Sequence, residues 1–238
     1  MPSVNTLYKR QIAINDKIHI VIPTVGEVID REEEYYQLVS ILTAMPIDFM
    51  VALDDVGIDF TTIDEWELFI LLFNELRSHD TSLIFSDLDL SKFKIASNEQ
   101  NGEIVLLDNE HDIVIDRAIH GLIADAFRKL HHVEKDLRKP ANEDAKRFLI
   151  ERARKKQRRR RNSRDDSQLE TLIIAMVNTE QFKYNYSTVR ELTIYQFNES
   201  VRQIVNKVDY EHRMHGIYAG TIDAKDLSQD DLTWLKHK

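Results

Sequence analysis

A basic run at residues 152–164 constrains this chain more than any other stretch. It reads RARKKQRRRRNSR and holds nine lysine or arginine residues and no acid. The whole chain has a net charge of −9, so removing these nine charges leaves −18 on the rest. Nine like charges cannot share a core, because each would lose its hydration without gaining a partner. The run is therefore predicted to be solvated and to divide the chain.

The composition excludes several classes of protein. Apolar residues make up 42% of the 238 residues, which is enough for a core on each side of the basic run. Cysteine is absent, so disulfides, thiolate metal sites and a cysteine nucleophile are excluded. The six glycines form no phosphate-binding loop followed by a lysine. No stretch has the length and apolar character of a signal peptide or a membrane span, so we expect no membrane association.

The first 80 residues show the periodicity of helices. Apolar residues recur there every three or four positions, as they do on the buried face of a helix. Thr24 with Glu27 three residues later is the pattern of a capping box, which marks a helix start. Helices are predicted at residues 25–43, at residues 46–56 and after a cap at Thr61 or Thr62.

Three short stretches after residue 80 have the length and alternation of strands. They are residues 92–96, 104–107 and 113–115, and they predict a small antiparallel meander. Residues 18–22, IHIVI, have the same character and could join that sheet. Asp116 then caps a helix that is expected to fray by Leu137, and Pro140 marks a break.

The chain after Pro140 is predicted to be helical. Asn142 caps a helix that enters the basic run and is expected to end near Gln157, because like charges at i and i+4 repel. A short helix follows at residues 169–177. The longest helix is predicted to begin at Ser187 and to reach His215, where Gly216 would stop it.

These elements predict an α+β fold that is predominantly helical. N-terminal helices accompany a small antiparallel β-meander, and a helical segment forms the C-terminal part. The predicted organisation is a mixed α/β domain at residues 1–140, a basic helical linker at residues 141–164 and a helical C-terminal domain at residues 165–238.

No catalytic, cofactor or metal site is predicted. Four carboxylates lie close in sequence, at Asp54, Asp55, Asp59 and Asp64, but they lack the register of a calcium loop and are typical of turns and helix caps. His131 and His132 are adjacent on a helix, so their side chains diverge, and His120 lies eleven residues earlier. The sequence has no HExxH motif and no nucleophile elbow. We therefore expect a protein that is not an enzyme.

The basic run is the first candidate binding site. It could neutralise several phosphates of a nucleic acid, but it contains no aromatic residue for base stacking. A solvated interdomain helix or a contact with an acidic partner is favoured over nucleic-acid binding. The candidate residues are Arg154, Lys155, Lys156, Arg158, Arg159, Arg160 and Arg161.

The long C-terminal helix and the tail are the second candidate binding site. Apolar residues on this helix fall at spacings of three and four, which suits docking on another helix or on a partner. An exposed tryptophan near the end of a chain often anchors an interface, and packing back on its own helix is an equally open alternative. The candidate partner-binding residues are Ile194, Phe197, Val201, Ile204, Val208, Tyr218 and Trp234.

Three stretches together resemble a known group of proteins. They are KIHIVIPTVGEVID at residues 17–30, GIDFTTIDEWELFILLF at residues 57–73 and HGIYAGTIDAKDLSQDDLTWL at residues 215–235. The pattern is similar to that of proteins encoded among the tail morphogenesis genes of tailed phages of Gram-positive hosts. The resemblance implies a tail-assembly chaperone that shields the tape-measure protein in the host cytoplasm, without a cofactor.

Two alternative functions remain open at this point. One is a structural virion protein of the tail or connector, and the other is a nucleic-acid-binding regulator that uses residues 158–161. Homo-oligomerisation is compatible with each of these functions.

Overall fold

The computed structural model describes residues 6–98, 102–161 and 167–235. Within these ranges the fold is α+β and mostly helical, as predicted. The helices are α1 (Val25–Ile29), α2 (Glu32–Leu42), α3 (Met50–Asp55), α4 (Glu65–Leu76), α5 (Arg117–His131), α6 (Glu143–Arg161), α7 (Gln168–Val177) and α8 (Ile194–Tyr218). The strands are β1 (Gln11–Ala13), β2 (His19–Val21), β3 (Lys94–Ser97), β4 (Ile104–Asp108) and β5 (Ile113–Ile115).

The predicted three-stranded meander is confirmed, but its proposed fourth strand is not part of it. Strands β3, β4 and β5 pair antiparallel in that order, with Leu106 opposite Ile115. Strand β2 instead pairs with β1 in a separate sheet of two strands. The local turn decides this, because the Ile14 amide donates to the Ile18 carbonyl at 2.9 Å and brings the two strands together.

The first predicted helix is interrupted at Asp30 and Arg31. Thr24 forms the predicted capping box with Glu27 at the start of α1. Arg31 then leaves the helical conformation, with φ −139°, and its guanidinium pairs with Glu34 at 2.7 Å and with Asp80 at 2.8 Å. These two ion pairs hold the corner between α1 and α2, which periodicity alone does not reveal.

The cap of α4 was predicted at Thr61 or Thr62, which is three or two residues before the residue that caps the helix. Asp64 caps α4 and forms a capping box with Glu67. Thr61 and Thr62 instead bond to Asp59 in the preceding turn, at 2.8 Å in each case. A Thr or an Asp can cap a helix or stabilise a turn, because both side chains accept hydrogen bonds from nearby backbone amides. The sequence alone therefore does not decide which residue is the cap.

Helices from both sides of the basic run share one apolar core. Tyr35, Phe73 and Phe127 are fully buried in it and precede the run, whereas Ile173 and Phe197 follow it. Backbone bonds join the two parts as well, since Val25 donates to Leu192 and Ile194 donates to the carbonyl of residue 23, both at 2.8 Å. The division of the chain into separate domains therefore stays a prediction, although the two parts pack together.

Helix α8 begins and ends later than the sequence predicted. Thr193 caps it in a capping box with Gln196, and Ser187 lies before it in a turn. Gly216 is inside the helix, and Gly220 follows the helix end with φ +70°. Gly216 instead allows the Ile222 side chain to lie close to the helix, because a Cβ at this position would lie 2.6 Å from Cδ1 of Ile222. The residues after the helix therefore fold back onto its last turn.

Candidate functional site

Helix α6 is held on the body of the protein by its first half. Ile150 is 8% exposed and packs in a small apolar cluster with Leu53 and Phe60. Lys146 Nζ lies 2.8 Å from Oδ2 of Asp59, which fixes the helix near its start. Both contacts act on the turns that precede the basic residues.

Arg154 forms the last attachment of α6 to α3. Its Nη2 lies 2.6 Å from a carboxylate oxygen of Asp54 and 2.6 Å from one of Asp55. The hydrogen bonds that the Arg154 guanidinium donates to Asp54 and then to Asp55 raise the pKa of Arg154 above its ordinary value. The predicted partner contact at Arg154 thus has a structural role within the chain, because its charge is already paired.

The helix extends four residues beyond the predicted end at Gln157 and includes Arg161. Repulsion between like charges was expected to end it earlier. Lysine and arginine are good helix formers, and an anchored helix extends by one hydrogen bond for each added residue. Cations near a helix C-terminus also gain from the helix dipole. These effects together outweigh the repulsion.

The segment from residue 155 to residue 161 is here named the basic tip. Lys155, Lys156, Arg158 and Arg159 are exposed and form no ion pair in the part of the chain that the structure describes. Arg160 and Arg161 are helical in their backbone, and their side chains lie outside the described set. Because these four cations have no partner among the described residues, this surface is available to an external anion.

The predicted seam on α8 divides into a buried part and an exposed part. Ile194 and Phe197 are fully buried in the main core, so they present no surface to a partner. Val201 and Ile204 pack against the same core, and Val208 is half-buried. The seam is therefore used first for packing within the chain, which is the more common role of such a pattern.

The residues from 205 to 235 are here named the C-terminal arm. No residue between 198 and 235 is buried. The arm is held together by its own contacts, including an ion pair of 2.9 Å between Arg213 Nη1 and Asp231 Oδ1. It exposes large apolar side chains, namely Val205, Tyr218, Leu232, Trp234 and Leu235. Partner binding by Tyr218 and Trp234 stays a prediction.

A buried polar cluster was missed by the sequence analysis. Arg128 is buried on α5, lies 2.8 Å from Oε1 of Glu65 and donates to the Thr43 carbonyl at 2.8 Å. His120, two turns earlier, is buried and stacks on Phe69 with ring centroids 4.1 Å apart. The sequence did contain a signal for this cluster. His120 and Arg128 are eight residues apart, which places both polar side chains on the apolar face of α5.

Two groups of ionisable residues beside this cluster are already paired. Lys135 lies 3.1 Å from Oε2 of Glu65 on one side of a groove of about 480 Å³. Asp64 on the same groove pairs with Arg117. Burial acts to raise the pKa of the Asp64 carboxyl, but hydrogen bonds from the Glu67 backbone amide and then from the Arg117 guanidinium hold it below its ordinary value. Among the described residues, no three His, Cys, Asp or Glu side chains form a group that could hold a metal ion.

The C-terminal third of the chain matches a known family. Residues 156–238 match the family model of the YomV second domain. That family is phage-derived, so the match is consistent with a phage protein. It includes most of the basic tip, α7, α8 and the whole C-terminal arm.

Two further comparisons gave no match. Neither the curated proteins nor the solved structures contain a protein that matches this chain. None of the helices in the described ranges is both long enough and apolar enough to cross a membrane.

Proposed function

We propose that this chain is a non-enzymatic phage protein that works by binding another polypeptide. The specific proposal is a tail-assembly chaperone of the host cytoplasm that binds the tape-measure protein through the C-terminal arm. The match to a phage-derived family supports this proposal, because that match covers the arm. The resemblance of residues 215–235 to tail morphogenesis proteins supports it independently.

The single observation that carries the proposal is the exposure of the arm. Tyr218 is 79% exposed and Trp234 is 36% exposed, on a segment that buries no residue. Tyrosine and tryptophan are the side chains that contribute most to protein interfaces. An amphipathic helix of the partner could cover Val205, Leu232 and Leu235 at the same time.

Co-expression with the tape-measure protein of the same phage tests the proposal directly. The expected result is a soluble complex that survives purification, whereas the tape-measure protein alone aggregates. Failure of the two proteins to associate would contradict the proposal. Mass spectrometry of purified virions separates the alternative, because a structural tail or connector protein remains in the particle and a chaperone does not.

Deleting the residues after Gly216 should weaken partner binding far more than it lowers the stability of the protein. No residue from 217 to 235 is buried, so the loss of this segment removes little apolar burial from the core. Pull-down of the tape-measure protein measures the first effect, and thermal unfolding measures the second. A large fall in the melting temperature would show that the segment is part of the folded core.

A paired set of point variants distinguishes the arm from any exposed aromatic residue. Tyr218→Ala is expected to weaken the complex, whereas Tyr8→Ala should leave it unchanged. The two tyrosines are matched, since they are 79% and 81% exposed. Equal loss of binding in both variants would place the interface elsewhere.

A further inference from the structure

We propose that the basic tip of α6 binds the phosphate backbone of double-stranded DNA. The tip lies on a different helix from the C-terminal arm, so this inference does not rest on the proposed function. Its four described cations, Lys155, Lys156, Arg158 and Arg159, are exposed and form no ion pair with any residue in the described ranges.

The start of the anion-binding surface is set by the acids of α3. Asp54 and Asp55 already hold Arg154, each at 2.6 Å. A cleft of about 200 Å³ opens beside this contact, and Asp55 and Arg158 are among the residues that line it. An anion in that cleft would meet the Asp55 carboxylate. The attractive surface therefore begins at Lys155 and continues to the end of the helix.

The cations of the tip are spread around the helix. Because an α-helix turns by about 100° per residue, the four described cations span an arc of about 160°. The described positive charge therefore covers nearly half of the circumference of the helix. The phosphates that flank a DNA groove can contact both edges of such an arc.

The composition of the tip favours a nucleic acid over an acidic protein. Residues 155–161 read KKQRRRR and contain no apolar side chain. Arginine is frequent at protein interfaces too, but there it accompanies apolar and aromatic residues at the centre, whereas binding to phosphates depends on charge. The tip therefore has the chemistry for phosphates and lacks the apolar centre of a protein interface.

The shape of the tip favours duplex DNA among the nucleic acids. Single strands are bound largely by stacking on aromatic rings, and the tip has none. The major groove of an RNA duplex is too deep and narrow for side chains to read. The major groove of B-DNA is about 12 Å wide and admits an α-helix. At about 1.5 Å per residue, the seven residues of the tip extend over about 10 Å.

The acidic remainder of the chain does not prevent this contact at physiological salt. The axial distance from Arg154 to Arg159 is about 7.5 Å, at about 1.5 Å per residue. Exposed charges are largely screened from each other beyond a Debye length, about 8 Å at physiological ionic strength, so at about 7.5 Å the repulsion is reduced and not abolished. The outer cations therefore interact with DNA while the repulsion from the body is weakened.

Fluorescence anisotropy with a labelled DNA duplex of mixed sequence tests the inference. Wild-type protein should bind with an affinity that falls steeply as salt rises and does not depend on sequence. Each released phosphate contact contributes about 0.9 to the slope of log affinity against log salt. A variant with four glutamines should bind at least about tenfold more weakly at low salt and lose about 3 to 4 of that slope. Its substitutions are Lys155→Gln, Lys156→Gln, Arg158→Gln and Arg159→Gln.

A matched control removes the same charge from other parts of the surface. Glutamine is a good helix former, so circular dichroism should show equal helix content in both variants. The control should retain the wild-type affinity and salt slope to within a small change. It replaces four exposed cations for which the described part of the chain supplies no ion pair, namely Lys9, Arg77, Lys94 and Lys225.

Four results would overturn the inference. The first is an absence of duplex binding by the wild-type protein at low salt. The second is an equal loss of binding in the tip variant and in the control, which would show a nonspecific effect of net charge. The third is competition by poly-glutamate as effective as that by DNA of equal charge, which would indicate an acidic protein. The fourth is tighter binding of duplex RNA or single-stranded DNA, which would contradict the groove argument.

Discussion

Replacing Phe197 with alanine should lower the free energy of unfolding by about 3–5 kcal/mol, the usual cost of deleting a buried aromatic side chain. Phe197 is fully buried at the start of α8, and its ring meets that of Phe182 edge to face, with centroids 6.1 Å apart. Its removal leaves a cavity in the core that joins α7 and α8 to the N-terminal helices. Equilibrium unfolding in urea measures the change.

Val205→Ala is the control for this result. Val205 lies two turns further along the same helix and is 51% exposed. Its truncation should change the free energy of unfolding by less than about 0.5 kcal/mol, as is usual for surface positions. If Phe197→Ala is equally mild, the C-terminal helices do not share the main core. If Phe197→Ala abolishes partner binding and leaves stability unchanged, the residue is an interface residue instead.

The elements that the sequence predicted well are those set by neighbouring residues. The capping box at Thr24, the cap at Asp116 and strand β5 depend on side chains within a few positions, and all three are present. The overall α+β class follows from the same local patterns. Local chemistry of this kind is visible without knowledge of the fold.

The features that the sequence did not reveal depend on distant partners. Strand β2 pairs with β1 and not with the meander. The strands are equally apolar, so a local turn and the packing of the core determine which pair forms. Phe197 is buried by helices more than 60 residues away, although its spacing on α8 suits a partner equally well. An apolar stripe predicts burial, but it does not identify what covers it.

The binding surfaces were predicted in part. Residues 155–159 of the basic run are exposed as charge alone requires, and residues 162–164 lie outside the described residues. Arg154 differs from its neighbours because α3 brings Asp54 and Asp55 to it across the fold. The exposed side chains of Tyr218 and Trp234 could not be separated from the buried Ile194 by sequence. All three are large and apolar, and only the packing of α8 distinguishes them.

The stability of the protein should fall between about pH 6.5 and about pH 4, mainly because of His120 and His131. Burial lowers the pKa of His120 to about 4, and burial followed by repulsion from His132 lowers that of His131 to about 4. Both are 6.5 in an exposed chain. The unfolded chain therefore binds protons first as the pH falls, and stability present above the unfolded value is lost.

The environment of each histidine explains the direction of the shift. His120 is stacked on Phe69, and its Nε2 is buried without a hydrogen-bond partner. Glu65 and Asp125 favour its protonated form, but burial together with Arg128 and Lys135 outweighs them. His131 Nε2 lies 2.9 Å from the hydroxyl of Tyr35, an interaction that joins α5 to α2.

The expected loss is large for a protein of this size. Between pH 7 and about pH 5, His120 should contribute about 2 kcal/mol, and the partly buried His131 a similar or smaller amount, at about 1.4 kcal/mol per pKa unit. Carboxylates such as Asp59 act in a separate window. The hydrogen bond from Lys146 lowers the pKa of Asp59 to about 2, so its contribution is lost only below 3.8.

Urea unfolding at about pH 7 and about pH 5 measures this loss of stability, and a variant shows how much of it comes from His120. His120→Leu keeps an apolar side chain on Phe69, removes the unpaired Nε2 and cannot titrate, so about half of the pH-dependent loss should disappear. His212→Gln is the control, because His212 is exposed on α8, and its removal should leave the loss unchanged. If His120→Leu retains the full pH dependence, the buried polar cluster of α5 is not its source, and the acid-labile groups must lie elsewhere in the chain.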